Sequence, residues 1–225
     1  MSVIDPYREQ LVQHWQKEQD PTVLYYERLL QWKGAPTFRF GARPTQTSDG
    51  LHSAISPLFS IFVYQQNPLF DVYCTVGASR TPLPHSTRTT RDPRGMRHEY
   101  IMHANNVYSE AACEILLLVS EHPHANNIDI GPGFVMPIGE PIVSDSSLEY
   151  LYFTYPFLDD PHIYDTHPAG EIDHPSAYTQ VIWVLPITRA ERQFLRTSGV
   201  DAFEAFLHEQ HRLRYDADFL RPSLI

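Results

Sequence analysis

Six residues able to ligate a metal fall in one short stretch: His162, Asp165, His167, Glu171, Asp173 and His174. Imidazole and carboxylate are ligand types for zinc or iron, and a metal there could serve a hydrolase. No HExxH or comparable helical spacing fixes their geometry, and ligand type without geometry favours solvated side chains. The residues therefore predict no metal and no cofactor, with a metal-dependent hydrolase on loop 162–174 as the alternative.

Other chemistry finds less support. A nucleophile needs a base within hydrogen-bond reach and a group that orients the base. No GxSxG string is present, and Val76-Gly77-Ala78-Ser79 reads as a turn that glycine permits at the end of a strand. Cys113 sits beside the apolar stripe of a predicted helix, which suggests packing. Neither GxxxxGK[ST] nor a GxGxxG leading into a helix occurs, and Gly131-Pro132-Gly133 precedes Phe134-Val135-Met136-Pro137, so no helix N-terminus is offered to a phosphate. Arg80, Arg88, Arg91, Arg94 and Arg97 share the loop 80–97, where an anion or acidic partner could bind, or the loop could simply be solvated. That loop lacks aromatic residues for base stacking. No catalytic residue is assigned, and the expectation is a protein that is not an enzyme.

The elements that must position these residues follow from periodicity and breakers. Segments 5–18 and 22–32 read as helices split by Asp20-Pro21-Thr22, and 34–56 as a loop rich in Gly, Pro, Thr and Ser. Segments 57–64 and 69–76 read as strands joined by a short turn, hence an antiparallel hairpin, with Phe70, Val72, Cys74 and Val76 on one face. A third strand spans 96–103, with Tyr100 and Met102 on one side. A helix follows over 106–121, with Ala112, Ile115, Leu116 and Val119 as its buried stripe and His122-Pro123 as its end. Residues 129–141 are too rich in Gly and Pro for helix. Segment 148–155 is a strand and 159–176 a loop of acids, histidines and prolines. Strand 178–185 is apolar on both faces, so it should be central and covered, and Pro186 should end it. Thr188 and Glu191 form a capping box for the next helix, Ser198-Gly199 breaks that helix, and a last helix covers 201–212.

The chain has 225 residues, of which 42% are hydrophobic, enough for a well-buried core rather than a disordered chain. A net charge of −10 disfavours nucleic acid and anionic membranes as partners and would attract a basic protein. Cys74 and Cys113 show no CxxC spacing and make no disulfide framework. The first twenty residues carry charges throughout and lack a signal-peptide core, and the longest aliphatic run, 115–119, cannot span a bilayer. Cytoplasmic residence is expected, as is one domain over 1–225, with its core at about 55–210 and a helical extension at 1–33.

Taken in order, Phe70-Asp71-Val72-Tyr73-Cys74-Thr75-Val76-Gly77-Ala78-Ser79, then Arg97-His98-Glu99-Tyr100-Ile101-Met102, then the Gly-Pro turn, then VIWVLPITRAERQFLRTSGVDAFEAFL from Val181 to Leu207 resemble the suppressor of fused domain family, in particular its bacterial members. The resemblance covers roughly 55–210. It implies an α+β sandwich, a mixed and largely antiparallel sheet packed with helices, and no enzymatic activity. Animal members restrain a transcription factor, and many bacterial members are thought to be immunity proteins that neutralise a toxin. This chain is about as long as the animal N-terminal domain alone, so no peptide-binding residue is carried over. The expected function is a non-enzymatic protein-binding module of immunity type, its partner another protein such as a basic toxin domain. Tyr155, Phe157 and Tyr164 would serve as aromatic anchors beside Asp159, Asp160, Asp165, Glu171 and Asp173. A regulatory scaffold, or a structural domain in a constitutive oligomer, stands as a further alternative.

Overall fold

In a computed structural model, residues 37–41, 59–65, 70–84, 96–156, 171–174, 177–211 and 217–225 are described. They form β1 (Thr37–Gly41), β2 (Ser60–Gln65), β3 (Asp71–Val76), β4 (Met96–Ala104), α1 (Ser109–Asn126), β5 (Val135–Pro137), β6 (Leu148–Thr154), β7 (Glu171–His174), β8 (Ala177–Thr188), α2 (Arg189–Ser198) and α3 (Val200–His211). The strands make one sheet in the order β1-β2-β3-β4-β8-β6-β5, with β7 also on β8. Among the described residues only the β4–β8 pair is parallel; the other strand pairs are antiparallel, including the predicted β2–β3 hairpin. The mixed, largely antiparallel α+β architecture expected from the sequence is present.

Strand alternation sorts the core into two layers. Phe70, Val72, Cys74 and Val76 join Val181, Trp183 and Leu185 on one face, under Leu195 of α2 and Phe203 and Leu207 of α3. Tyr73, Tyr100, Met102, Ile182 and Val184 line the other, under Ala112, Ile115, Leu116 and Val119 of α1. β8 is thus covered on both faces, as its sequence predicts. Cys113 is half-buried against the second layer, Cys74 is buried in the first, and neither forms a disulfide.

Four boundaries differ from the sequence expectation. Strand β1 lies inside the stretch read as a loop at 34–56, where β2 supplies its hydrogen-bonding edge. Helix α1 does not stop at His122-Pro123 but runs to Asn126. A proline clashes with the turn before it and leaves the residues after it free to stay helical. The helix ends instead at Asn127, in the left-handed region at φ 53°, with the Ile128 N–H donating to the Pro123 carbonyl at 3.0 Å. Strand β8 continues through Pro186 to Thr188. The Pro186 carbonyl accepts from the Arg221 guanidinium at 2.9 Å, and a strand residue's N and O leave by the same edge. The missing N–H therefore falls where no ladder runs, since β4 pairs with β8 only as far as Trp183. Finally, part of the loop read at 159–176 is strand β7, opposite the start of β8. The helices expected at 5–18 and 22–32 lie outside the described residues.

Candidate protein-binding surface

One edge of β8 is shared by two strands. β7 takes its start, with Glu171 opposite Gln180, and β6 takes its end, with Thr154 opposite Trp183. Two positions, Val181 and Ile182, lie between. Counting along the register, Tyr155 and Pro156 would fall opposite them, although neither belongs to a strand, and β7 begins at Glu171.

The chain is held from both faces where it leaves β6. On one, Glu204 of α3 accepts from the Tyr152 hydroxyl at 2.8 Å and from Thr154 Oγ1 at 2.7 Å. Burial, reinforced by this bond to a carboxylate, raises the Tyr152 hydroxyl well above the usual phenol range. On the other, the Gln180 side-chain amide donates to the Tyr155 hydroxyl at 3.3 Å, while the Tyr155 ring stays 36% exposed. Behind Gln180, and opposite it in register, lies His98, fully buried. Among the described residues neither His98 ring nitrogen has a well-formed hydrogen bond. Burial pushes its pKa down to about 4, with the Gln180 amide beside it opposing.

Of the eight residues expected to bind a partner, the fold therefore brings three together around the first half of β8. Tyr155 is bonded to Gln180, Glu171 pairs with Gln180, and Asp173 pairs with Tyr178. Phe157, Asp159, Asp160, Tyr164 and Asp165 lie outside the described residues, as do His162 and His167 of the possible metal loop. Among the described residues no group of three His, Cys, Asp or Glu side chains could hold a metal ion.

A second polar node sits where β3 and β4 part. Their ladder ends at Cys74 opposite Ile101, and beyond it the fully buried Glu99 carboxylate bridges the gap. Thr75 Oγ1 donates to Oε2 at 2.6 Å. The Gly77 N–H (2.9 Å), the Ser79 N–H (3.0 Å) and Ser79 Oγ (2.7 Å) all donate to Oε1. Gly77, at φ 98°, makes the turn that aims these donors inward. The Arg97 guanidinium donates to the Ser79 carbonyl at 2.8 Å, so both ends of the arginine loop meet here. Burial raises the Glu99 carboxyl to about 7, against the four donors, which lower it. The Thr-Val-Gly-Ala-Ser string is thus a receptor for a buried carboxylate. Ser79 spends its hydroxyl on that carboxylate rather than serving as a nucleophile.

The third node was not foreseen from the sequence. Glu191 completes the predicted capping box with Thr188, and the same carboxylate takes a bidentate ion pair from Arg221 at 2.6 and 3.0 Å. Arg221 is 3% exposed and Glu191 0%. A lone arginine near Pro222 carries no periodic signal, so only the fold reveals the pairing.

These features can be set beside known proteins. A family model described as Suppressor of fused protein matches residues 57–216. The fold is similar to that of a suppressor of fused homologue from Neisseria gonorrhoeae, with a TM-score of 0.60 at 17% identity, covering 91% of this chain and 95% of that one. It is equally similar to a chain in the Sufu–Fu complex, with a TM-score of 0.60 at 13% identity over 90% of this chain and 87% of that one. Drosophila Suppressor of Fused matches at a TM-score of 0.50 and 16% identity, over 73% of this chain and 42% of that one. A sequence search of curated proteins finds no match.

Proposed function

We propose a non-enzymatic, protein-binding role, on the premise that the chain belongs to the suppressor of fused protein family. The observation that carries it is the fold shared over 90% of the chain with a structure of this family solved as a protein complex, Sufu–Fu. The polar nodes fit that role. Glu99, Glu191, Arg221 and Glu204 are engaged by groups of the protein itself, which suits a rigid binding scaffold.

The finer reading is an immunity-type protein of the bacterial kind, acting in the cytoplasm on a basic toxin domain. The surface is the stretch from Tyr155 to Asp173. Asp159, Asp160, Asp165, Glu171 and Asp173 would steer the encounter, and Tyr155, Phe157 and Tyr164 would supply buried contacts. The net charge of −10 supports a basic partner. Among the described residues no helix is long and apolar enough to cross a membrane.

The test is co-expression with each candidate toxin domain that a neighbouring gene encodes. The parent should protect the host. Reversing Asp159, Asp160 and Asp165 together to Lys should abolish protection and slow association by ~10-fold or more at low salt. Full protection by the triple variant would refute the surface, and no binding by the parent to any neighbour-encoded protein would refute the toxin reading.

A further inference from the structure

Residues 217–225 cross from one face of the sheet to the other, since Ala217 packs in the first core layer and Phe219 in the second. They do so as a strap, not as part of the sheet. Among the described residues one backbone-to-backbone hydrogen bond, from the Asn105 N–H to the Ala217 carbonyl at 2.8 Å, joins the strap to the rest of the fold.

Most other polar contacts pair a side chain with a backbone group or with another side chain. Ser146 Oγ donates to the Phe219 carbonyl at 2.5 Å, and Ser147 Oγ to the Arg221 carbonyl at 3.4 Å. Two strap side chains are swallowed. The fully buried Phe219 ring stacks on Tyr108 at 5.1 Å and 14°, and the Arg221 guanidinium donates to both Glu191 oxygens and to the Pro186 carbonyl. The strap shapes itself. Asp218 accepts from the Leu220 N–H at 2.9 Å through its side chain and from the Arg221 N–H at 3.2 Å through its carbonyl. This turn sends Phe219 and Arg221 inward and leaves Leu220 50% exposed.

A locally pre-shaped segment, two anchors two residues apart and a receiving wall that reads its carbonyls are the attributes of a linear-motif site. We propose that the cleft formed by the β4–α1 turn, the β5–β6 turn and the start of α2 binds a peptide carrying Phe-x-Arg, and that residues 217–225 are its built-in, displaceable occupant. Glu191 sets the specificity. Its buried carboxylate has a forked, bidentate arrangement that arginine fills and lysine does not. The site lies at the far end of β8 from Tyr155, so it stands or falls independently of the toxin-binding surface.

The test keeps the full chain. Residues 212–216, between α3 and the strap, are replaced with a protease site, the protein is folded, and the link is then cut. A dye on the strap reports its release, and near-ultraviolet circular dichroism reports the fold. Excess nonapeptide with the sequence of 217–225 should displace the strap while the fold persists. The same peptide with Arg221→Ala should compete at least ~30-fold more weakly, because one partner of a buried charge pair is gone. Three results would each overturn the proposal: a strap that excess peptide cannot displace, a body that unfolds once the strap leaves, and a scrambled peptide that competes as well as the parent.

Discussion

Glu99 and His98 are neighbours on one strand with opposite proton preferences. Burial raises the Glu99 carboxyl from 4.5 to about 7, so the folded protein binds its proton more tightly than the unfolded chain does. That stability is fully present below 4.5 and is lost as pH rises through 7. Burial lowers His98 from 6.5 to about 4, so its contribution is present above 6.5 and is lost as pH falls toward 4. Between about 4.5 and 6.5 the two slopes oppose each other. Glu99→Gln supplies a permanently neutral group of the same shape, whose oxygen can still accept from Gly77 and Ser79 while its amide faces Thr75. We expect the variant's stability relative to the parent to grow with pH from about 4.5 to 7.5, by roughly 3 kcal/mol, read from urea unfolding at each pH. A difference that stays constant with pH would refute the assignment. Glu99→Ala strands the Gly77 and Ser79 donors and should cost ~3 kcal/mol or more at any pH in this range. The string from Thr75 to Ser79 was legible as a turn, but its purpose was not, because the carboxylate it serves lies twenty residues away from Ser79.

At the scale of elements, the start of α2 offers a controlled comparison of two arginine–glutamate pairs. Arg189 reaches Glu149 at 2.9 Å with 77% and 34% of the side chains exposed, whereas Arg221 and Glu191 are 3% and 0% exposed. Solvent screening and side-chain entropy leave the first pair contributing little, so Glu149→Ala should barely move the unfolding midpoint. Arg221→Ala leaves a buried carboxylate without its cation and should cost about 3 kcal/mol, capped by the free energy of seating the strap. Equal effects of the two substitutions in denaturant unfolding would contradict this ranking. Elements with a local signature were legible: the capping box of α2, the stripe of α1, the two-sided β8. Elements defined by a distant partner were not. β1 and β7 exist because β2 and β8 lend them a hydrogen-bonding edge, and Pro186 stays in a strand because Arg221, 35 residues on, takes its carbonyl.

For the whole molecule, the order of short strings was enough to reach the family and the two-faced sheet. It could not show that β6 and β7 occupy one edge of β8. That register sharpens the proposed binding surface, because it separates the scaffold from the segment it carries. Thr154 and Glu171 sit three residues apart along β8, about 10 Å, and Tyr155 and Pro156 suffice to span that distance. Deleting residues 157–170 and joining Pro156 to Glu171 should therefore connect β6 directly to β7 along this edge of β8. Closing a shorter loop has a lower entropy cost, so the deletion should leave stability within ~1 kcal/mol of the parent or raise it slightly. It also removes Phe157, Asp159, Asp160, Tyr164 and Asp165 together, so toxin binding should disappear while peptide exchange at the strap cleft is untouched. A deletion variant that unfolds would show residues 157–170 to be part of the scaffold, and one that still neutralises the toxin would move the binding surface elsewhere on the sheet.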